Sequence, residues 1–175
     1  MIISFFALLR SAELLGLTIK NISVDRIRKF LTIKIEKSKT DICGRGATVA
    51  VGCLCETDSA SSICPFHRMC EWLEKRVNFP QNDESVFPIR KDKYYSELKR
   101  RLMSVLPPEL HTRCTSHSMR RSGAMAMITS GISLERVAEL GRWSGTETLA
   151  SCYLRGSSTV QTAQAELASW VVRLL

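Results

Sequence analysis

The chain has 175 residues, with 25 Lys and Arg against 17 Asp and Glu, and a formal net charge of +8. With 45% hydrophobic and 24% charged residues, the composition is that of a folded globular protein and excludes a disordered polymer or a collagen-like repeat. The length favours a single domain over residues 1–175, and the positive charge favours a polyanionic partner.

The apolar N-terminal stretch, residues 1–9, is neither a signal peptide nor a membrane span. It has no preceding positive charge and no small-residue cleavage site, and it is too short to cross a bilayer. Seven cysteines without a secretory signal favour a reducing compartment, so we expect an intracellular protein. The apolar residues of 2–15 recur every three or four positions, which predicts one buried helix that contains Arg10 and Glu13.

The next elements are predicted to be strands. Apolar and polar residues alternate over 31–36, which predicts a half-buried strand with Leu31, Ile33 and Ile35 on its inner face. Shorter runs at 18–24 and 47–51 complete an antiparallel three-stranded sheet, with the turn at 37–46 between its last two strands.

The remainder of the chain is predicted to be helical. A helix after Ser62 is predicted to end before Pro80, and it carries on one side Met69, Trp72, Leu73 and Val77. Ser133 is the predicted N-cap of a short helix that stops at Gly141. The predicted helices are 93–106, 116–130, 134–140 and 160–174. The fold class is therefore α+β, mostly helical with a small antiparallel sheet.

The chain also carries the groups that cleavage of a phosphodiester needs. These are a nucleophile, donors for the phosphate oxygens and an acid for the departing oxygen. Arginine suits the oxygens because its planar fork binds two at once and stays protonated. The candidate residues are Arg10, Lys39, His117, Arg120, Trp143 and Tyr153.

In these residues the sequence resembles the catalytic domain of the tyrosine recombinase, or phage integrase, family. The resemblance rests on five segments in the family's order. They are LRSAELLGL over 9–17, the lysine of SKT over 38–40, HSMRRSGA over 117–124, GRW over 141–143 and the terminal Tyr153. Members of the family carry an upstream DNA-clamp domain, so the resemblance implies that this chain is an N-terminally truncated catalytic domain.

The resemblance implies a role for each residue. Arg10 and Arg120 would bind the scissile phosphate, and Trp143 would donate its indole N–H to a phosphate oxygen. Lys39 would protonate the leaving 5′-oxygen, with Lys37 in the same turn as the alternative.

The nucleophile implied by the resemblance is Tyr153, which would attack phosphorus to give a 3′-phosphotyrosyl enzyme. His117 would assist proton transfer, and Glu13 would support the site without taking part in the chemistry. The mechanism requires no cofactor, and its substrate is double-stranded DNA. Localisation in a nucleus or nucleoid follows from that substrate alone.

The expected function is DNA strand cleavage and rejoining, as in site-specific recombination or integration of a mobile element. A type IB topoisomerase-like activity and an inactive DNA-binding remnant are the alternatives. For the predicted terminal helix at 160–174 there are two alternatives: it would pack on the core of its own chain, or it would dock on a neighbouring protomer. Six basic residues are expected to contact DNA phosphates: Arg26, Arg28, Lys29, Lys99, Arg100 and Arg101.

A separate group of residues has the character of metal ligands. Cys64, His67 and Cys70 recur at a helical spacing of three, and Cys55 or Cys53 precedes them by a short loop. Zinc prefers cysteine and histidine ligands, so one interpretation is a zinc site. The alternative is that these cysteines fill the core as small apolar residues. Zinc would be structural here, because the recombinase mechanism has no role for a metal.

Overall fold

A computed structural model of the chain describes residues 1–38, 44–55, 62–76 and 85–153, with backbone alone at positions 152 and 153. These residues fall into two compact units. The helical unit contains residues 3–10 and those from 91 onward, and the sheet unit contains those within 11–90. The expectation of a single domain stays a prediction.

The sheet unit contains two helices and three strands among its described residues. They are α2 (Ser11–Leu15), β1 (Ile22–Asp25), β2 (Phe30–Ile35), β3 (Ala47–Gly52) and α3 (Pro65–Arg76). The strands form an antiparallel sheet in the order β1, β2, β3, and Ile33 pairs with Val49 across β2 and β3. The side chains of Leu31, Ile33 and Ile35 are all buried, as the alternation predicts. The α+β class and the small antiparallel sheet are confirmed.

The first strand is shorter than predicted, because a 3-10 turn occupies Ile19–Asn21. The backbone N–H and the hydroxyl of Thr18 both donate to the side-chain oxygen of Asn21, at 2.8 and 2.7 Å. Such local side-chain bonds offer the backbone an alternative to the strand ladder.

Helix α3 packs against β3 through one face. Met69 is buried on that helix, and the side chain of Trp72 is 39% exposed. Val77, which was predicted on the same side, lies outside the described residues. The indole N–H of Trp72 donates to the carbonyl of Val86 at 2.7 Å, and its ring stacks on Phe87. Trp72 therefore anchors the segment that follows residue 84.

The helical unit contains α1 (Ile2–Phe6), apart from its first residue, and the four later helices. These are α4 (Lys91–Met103), α5 (Ser118–Thr129), α6 (Leu134–Gly141) and α7 (Thr146–Tyr153). The Ser133 hydroxyl accepts a bond from the backbone N–H of Arg136 at 3.3 Å, which confirms the predicted N-cap of α6. The helix predicted at 160–174 lies outside the described residues.

The prediction of one helix over 2–15 is wrong. The chain forms α1 and α2 with a break between them, where Leu8 takes a left-handed conformation with φ of 49°. The Ser4 hydroxyl donates to the carbonyl of Leu9 at 2.9 Å inside the break. A bulky residue adopts this backbone only where its surroundings stabilise it. Those surroundings are tertiary, because the side chain of Leu8 is buried in the core of the helical unit.

That core joins the break to three helices. Its buried members are Leu8, Ala124, Met125, Val137, Ala138 and Leu149. Helix α5 approaches α1 so closely that a Cβ at Gly123 would overlap the carbonyl oxygen of Phe5. Within the part of the chain that the structure describes, none of the helices has the length and apolar character to span a bilayer.

Candidate active site

Arg120 lies at the centre of the helical unit. It belongs to the first turn of α5, and its side chain is 4% exposed. Its Nη1 donates to the carbonyl of Leu8, and its Nη2 donates to the carbonyl of Gly141. Burial of a charged group is costly unless it is hydrogen-bonded, and these two bonds meet that need. One guanidinium thus joins the break before α2, the start of α5 and the end of α6.

The ring of Trp143 covers the same guanidinium. Its centroid lies 4.1 Å from Cζ of Arg120, a distance at which the ring quadrupole attracts a cation. The backbone N–H of Trp143 donates to the carbonyl of Ala138 at 2.9 Å. A Cβ at Gly141 would overlap the ring, so only glycine leaves room for it. Trp143 can therefore cover Arg120 only because Gly141 has no side chain.

Arg142 is a further neighbour of Arg120, one that the sequence patterns did not predict. It ends α6 in the left-handed conformation, and its Nη2 donates to the carbonyl of Leu8 at 3.3 Å. Two guanidinium groups therefore share one carbonyl oxygen. Their concentrated positive charge favours an anion at this place. The sequence feature that could have indicated Arg142 is its position in the GRW segment, between Gly141 and Trp143.

Arg10 follows Leu8 by two residues and is half-buried. The two guanidinium bonds to the Leu8 carbonyl hold the chain segment that leads directly to Arg10. The structure thus brings this segment to Arg120 and Trp143, although the three motifs lie far apart along the chain.

His117 is the N-cap of α5, and its side chain is exposed. Arg120, three residues further along, is buried, so the two side chains differ sharply in their exposure to solvent. The carbonyl of His117 accepts a bond from the backbone N–H of Arg121 at 2.9 Å. His117 thus lies at the positive end of the helix dipole, which is favourable for a bound phosphate.

Tyr153 is the last residue of α7, and its side chain lies outside the described atoms. Its backbone follows Leu149 by one helical turn, and Leu149 is fully buried in the core that also contains Leu8. Helix α7 is therefore anchored to the elements that carry Arg120 and Trp143. The role of Tyr153 as nucleophile stays a prediction.

In the sheet unit, Glu13 is 6% exposed, and its Oε1 accepts a hydrogen bond from the Ser38 hydroxyl at 2.9 Å. Ser38 precedes Lys39, which itself lies outside the described residues, whereas the side chain of Lys37 is exposed. Glu13 therefore holds Ser38, the residue between the two candidate lysines in the sequence, a contact that the sequence did not indicate.

Three of the predicted DNA contacts lie in the turn between β1 and β2. Arg26, Arg28 and Lys29 are all exposed there. Arg26 forms an ion pair with Glu74 at 2.8 Å, and the backbone N–H of Arg28 donates to the carboxylate of Asp25. Exposed pairs of this kind contribute little to stability, so a DNA phosphate can replace Glu74 at low cost.

The other three predicted contacts, Lys99, Arg100 and Arg101, lie on the exposed side of α4. Arg100 and Arg101 both donate to the carboxylate of Glu97, at 2.6 to 2.9 Å. These hydrogen bonds lower the pKa of Glu97 to about 2. Glu97 is consequently ionised at neutral pH and competes with any phosphate for the two arginines.

The cysteine group differs from the expected set by one residue. The ligand atoms of Cys53, Cys55, Cys64 and His67 all lie within 4.8 Å of one another. Cys70 is not in this cluster and is buried elsewhere on α3. The sequence left open whether Cys53 or Cys55 is the fourth ligand, and the structure places both of them in the cluster.

A comparison with models of protein families gives a match to the one described as the phage integrase family, over residues 3–159. The matched range includes every residue placed around Arg120 above, and it extends past Tyr153. No curated protein matches the chain.

Proposed function

Because the chain belongs to the phage integrase family, whose enzymes break and rejoin DNA, we propose that it cleaves a DNA strand with Tyr153 as the nucleophile. The observation that carries this proposal is the guanidinium of Arg120, which joins the segment before Arg10 to Gly141 and Trp143. These contacts bring the separated motifs of the family to one electropositive place at the start of α5.

In the first step, the Tyr153 oxygen forms a bond to the scissile phosphorus while the bond from phosphorus to the 5′-oxygen breaks. The phenol proton passes to His117, and Lys39 gives a proton to the departing 5′-oxygen. The products are a 3′-phosphotyrosyl enzyme and a free 5′-hydroxyl end. Attack by a 5′-hydroxyl on this phosphodiester reverses the step and rejoins a strand.

Arg10 and Arg120 would stabilise the charge that builds on the phosphate oxygens as tyrosine attacks. Donors fixed in advance lower the barrier because they need no reorganisation during the reaction. Arg120 meets this condition, since the bonds to Leu8 and Gly141 and the ring of Trp143 hold its plane. Trp143 would add its indole N–H as a further donor.

The biological reaction that we propose is site-specific recombination or integration of a mobile element. The phosphotyrosyl bond conserves the energy of the cleaved phosphodiester, so a second DNA end can be joined without a nucleotide cofactor. The exposed basic residues of α4 and of the β1–β2 turn would supply phosphate contacts, which makes binding dependent on salt and largely independent of sequence.

A nicked suicide duplex tests the proposal, because the short cleaved fragment diffuses away and leaves the covalent complex trapped. Denaturing electrophoresis should show a protein–DNA adduct for the wild type and none for Tyr153→Phe, which lacks the attacking oxygen. Tyr95→Phe, a change of the same kind on α4, should leave the adduct unchanged.

Two results would contradict this role. An adduct that persists in Tyr153→Phe means that another residue is the nucleophile. A wild-type chain that binds the duplexes at nanomolar to micromolar concentration but forms no adduct with any of them is an inactive DNA-binding remnant.

The two candidate lysines can be separated by the leaving group. Lys39→Ala should slow cleavage of an ordinary duplex by about 10²- to 10⁴-fold, the usual contribution of a general acid. A duplex with sulfur in place of the 5′-oxygen should be cleaved by Lys39→Ala at nearly the wild-type rate, because a thiolate departs without a proton. Lys37→Ala is the matched control, and selective rescue of that variant would assign the acid to Lys37 instead.

A further inference from the structure

The cluster of Cys53, Cys55, Cys64 and His67 lies in the sheet unit and has no part in the chemistry proposed above. Cys53 and Cys55 follow the end of β3, and Cys64 and His67 lie at the start of α3. The four ligand atoms come from two separate chain segments and converge on one point.

Ordinary hydrogen bonding does not account for this convergence. The Nδ1 atom of His67 lies 3.7 Å from the sulfur of Cys53, 3.4 Å from that of Cys55 and 3.3 Å from that of Cys64. A ring nitrogen has either one proton or one lone pair, so it can satisfy only one of three such neighbours. A cation at the centre would satisfy all four atoms at once.

The distances fit a tetrahedral zinc ion. With zinc–sulfur bonds of about 2.3 Å and zinc–nitrogen bonds of about 2.0 Å, tetrahedral ligands are separated by about 3.5 to 3.8 Å. The measured sulfur–nitrogen distances are 3.3, 3.4 and 3.7 Å, and the sulfurs of Cys53 and Cys64 are 3.6 Å apart. Four of the six distances between ligand atoms are thus close to those of a coordination shell, and all six are within 4.8 Å.

Backbone groups around the sulfurs support the same interpretation. The N–H of Leu54 donates to the sulfur of Cys64, and the N–H of Cys55 donates to that of Cys53, both at 3.4 Å. Hydrogen bonds of this kind orient metal-bound thiolates and stabilise their negative charge.

We propose that Cys53, Cys55, Cys64 and His67 bind one zinc ion as a closed structural site. Three cysteines and one histidine complete the four-coordinate shell and leave no position for a substrate. Binding displaces the three thiol protons to solvent and changes no oxidation state.

The consequence of the site is mechanical. The ion would tie the end of β3 to the first turn of α3, and β3 is the strand that pairs with β2 across the sheet. Gly52, the last residue of β3, pairs with Phe30, and the backbone N–H of Cys53 donates to the carbonyl of Lys29 at 2.8 Å. The zinc would therefore hold the end of the sheet from which the β1–β2 turn with Arg26, Arg28 and Lys29 extends. This inference does not depend on the role of Tyr153.

Metal analysis of the full chain, purified with a thiol reductant and without added chelator, tests the site. The wild type should contain about one zinc ion per chain, as expected for one closed site. Cys64→Ser should lose the ion, whereas Cys70→Ser, which changes a buried cysteine on α3 outside the cluster, should retain it.

A second variant covers the case in which Cys64→Ser fails to fold. His67→Cys keeps four ligands, so it should still bind one ion, and its cobalt-substituted form should show stronger thiolate charge-transfer absorption than cobalt-substituted wild type. A wild-type chain with no zinc and no such band on cobalt titration would overturn the proposal. A disulfide between Cys53 and Cys64 in the reduced preparation, or equal zinc loss in Cys70→Ser, would also overturn it.

Discussion

Arg120→Lys should slow DNA strand cleavage by about 10²- to 10³-fold and lower the melting temperature by about 5 °C or more. The guanidinium donates to the carbonyls of Leu8 and Gly141 from two nitrogens of one rigid plane. An ammonium is a compact point charge that cannot reproduce this fork. A lost hydrogen bond to a charged group costs about 1.5–3 kcal/mol, and 1 kcal/mol shifts the melting temperature of a chain of this size by about 2–4 °C.

Cleavage should suffer more than stability, because Arg120 is also the proposed phosphate ligand. Loss of one preorganised donor to a developing oxyanion costs about 10²- to 10³-fold in rate. The measurements are calorimetric melting, DNA binding by fluorescence anisotropy, and adduct formation on the suicide duplex. Binding should change little, since it depends mainly on exposed basic residues.

The neighbouring Arg121 offers the matched control, because it lies on the same helix with its side chain exposed. Arg121→Lys should melt and cleave like the wild type. Equal losses in the two variants, or wild-type cleavage by Arg120→Lys, would show that the buried fork has no special role.

Gly141→Ala should reduce cleavage by about 10²-fold by displacing the ring of Trp143. The added Cβ would overlap that ring, which otherwise covers the guanidinium of Arg120 at 4.1 Å. A cation–π contact in a desolvated place contributes about 2 kcal/mol, and a displaced ring also moves the indole N–H proposed to reach the phosphate. Near-ultraviolet circular dichroism and the rate of adduct formation report the two effects.

The control for the backbone is Gly145→Ala, which has open space at the Cβ position and should behave like the wild type. A double variant tests the cause. In a Trp143→Ala background the ring is gone, so Gly141→Ala should add almost nothing to the loss of cleavage. Additive losses would mean that Gly141 acts through the backbone of α6 and not through Trp143.

The elements that the sequence predicted correctly depend on local signals. The alternation of Leu31, Ile33 and Ile35 is a property of one strand that is buried on one face, and the structure shows all three buried. The N-cap at Ser133 depends on a side chain and an amide three residues apart. The family was also visible in the sequence, because its motifs keep their order and spacing along the chain.

Predictions that ignored distant contacts were less successful. Periodicity over residues 2–15 indicated one helix, but the break at Leu8 is stabilised by the core and by bonds from Arg120 and Arg142. Helical spacing likewise favoured Cys70 as a ligand, whereas the cluster takes Cys53 from the end of a strand. In both cases a residue distant in sequence outweighed the local pattern.

The sequence by itself determined the composition of the site: which cations, which tyrosine and which glycines the chain offers, and in what order. Only the tertiary structure decided how they meet. The carbonyl of Leu8 is the acceptor shared by Arg120 and Arg142, and the carboxylate of Glu13 holds Ser38. The physical reason is that a buried charge or polar group must find a partner, and the chain can bring that partner from any distance along the sequence.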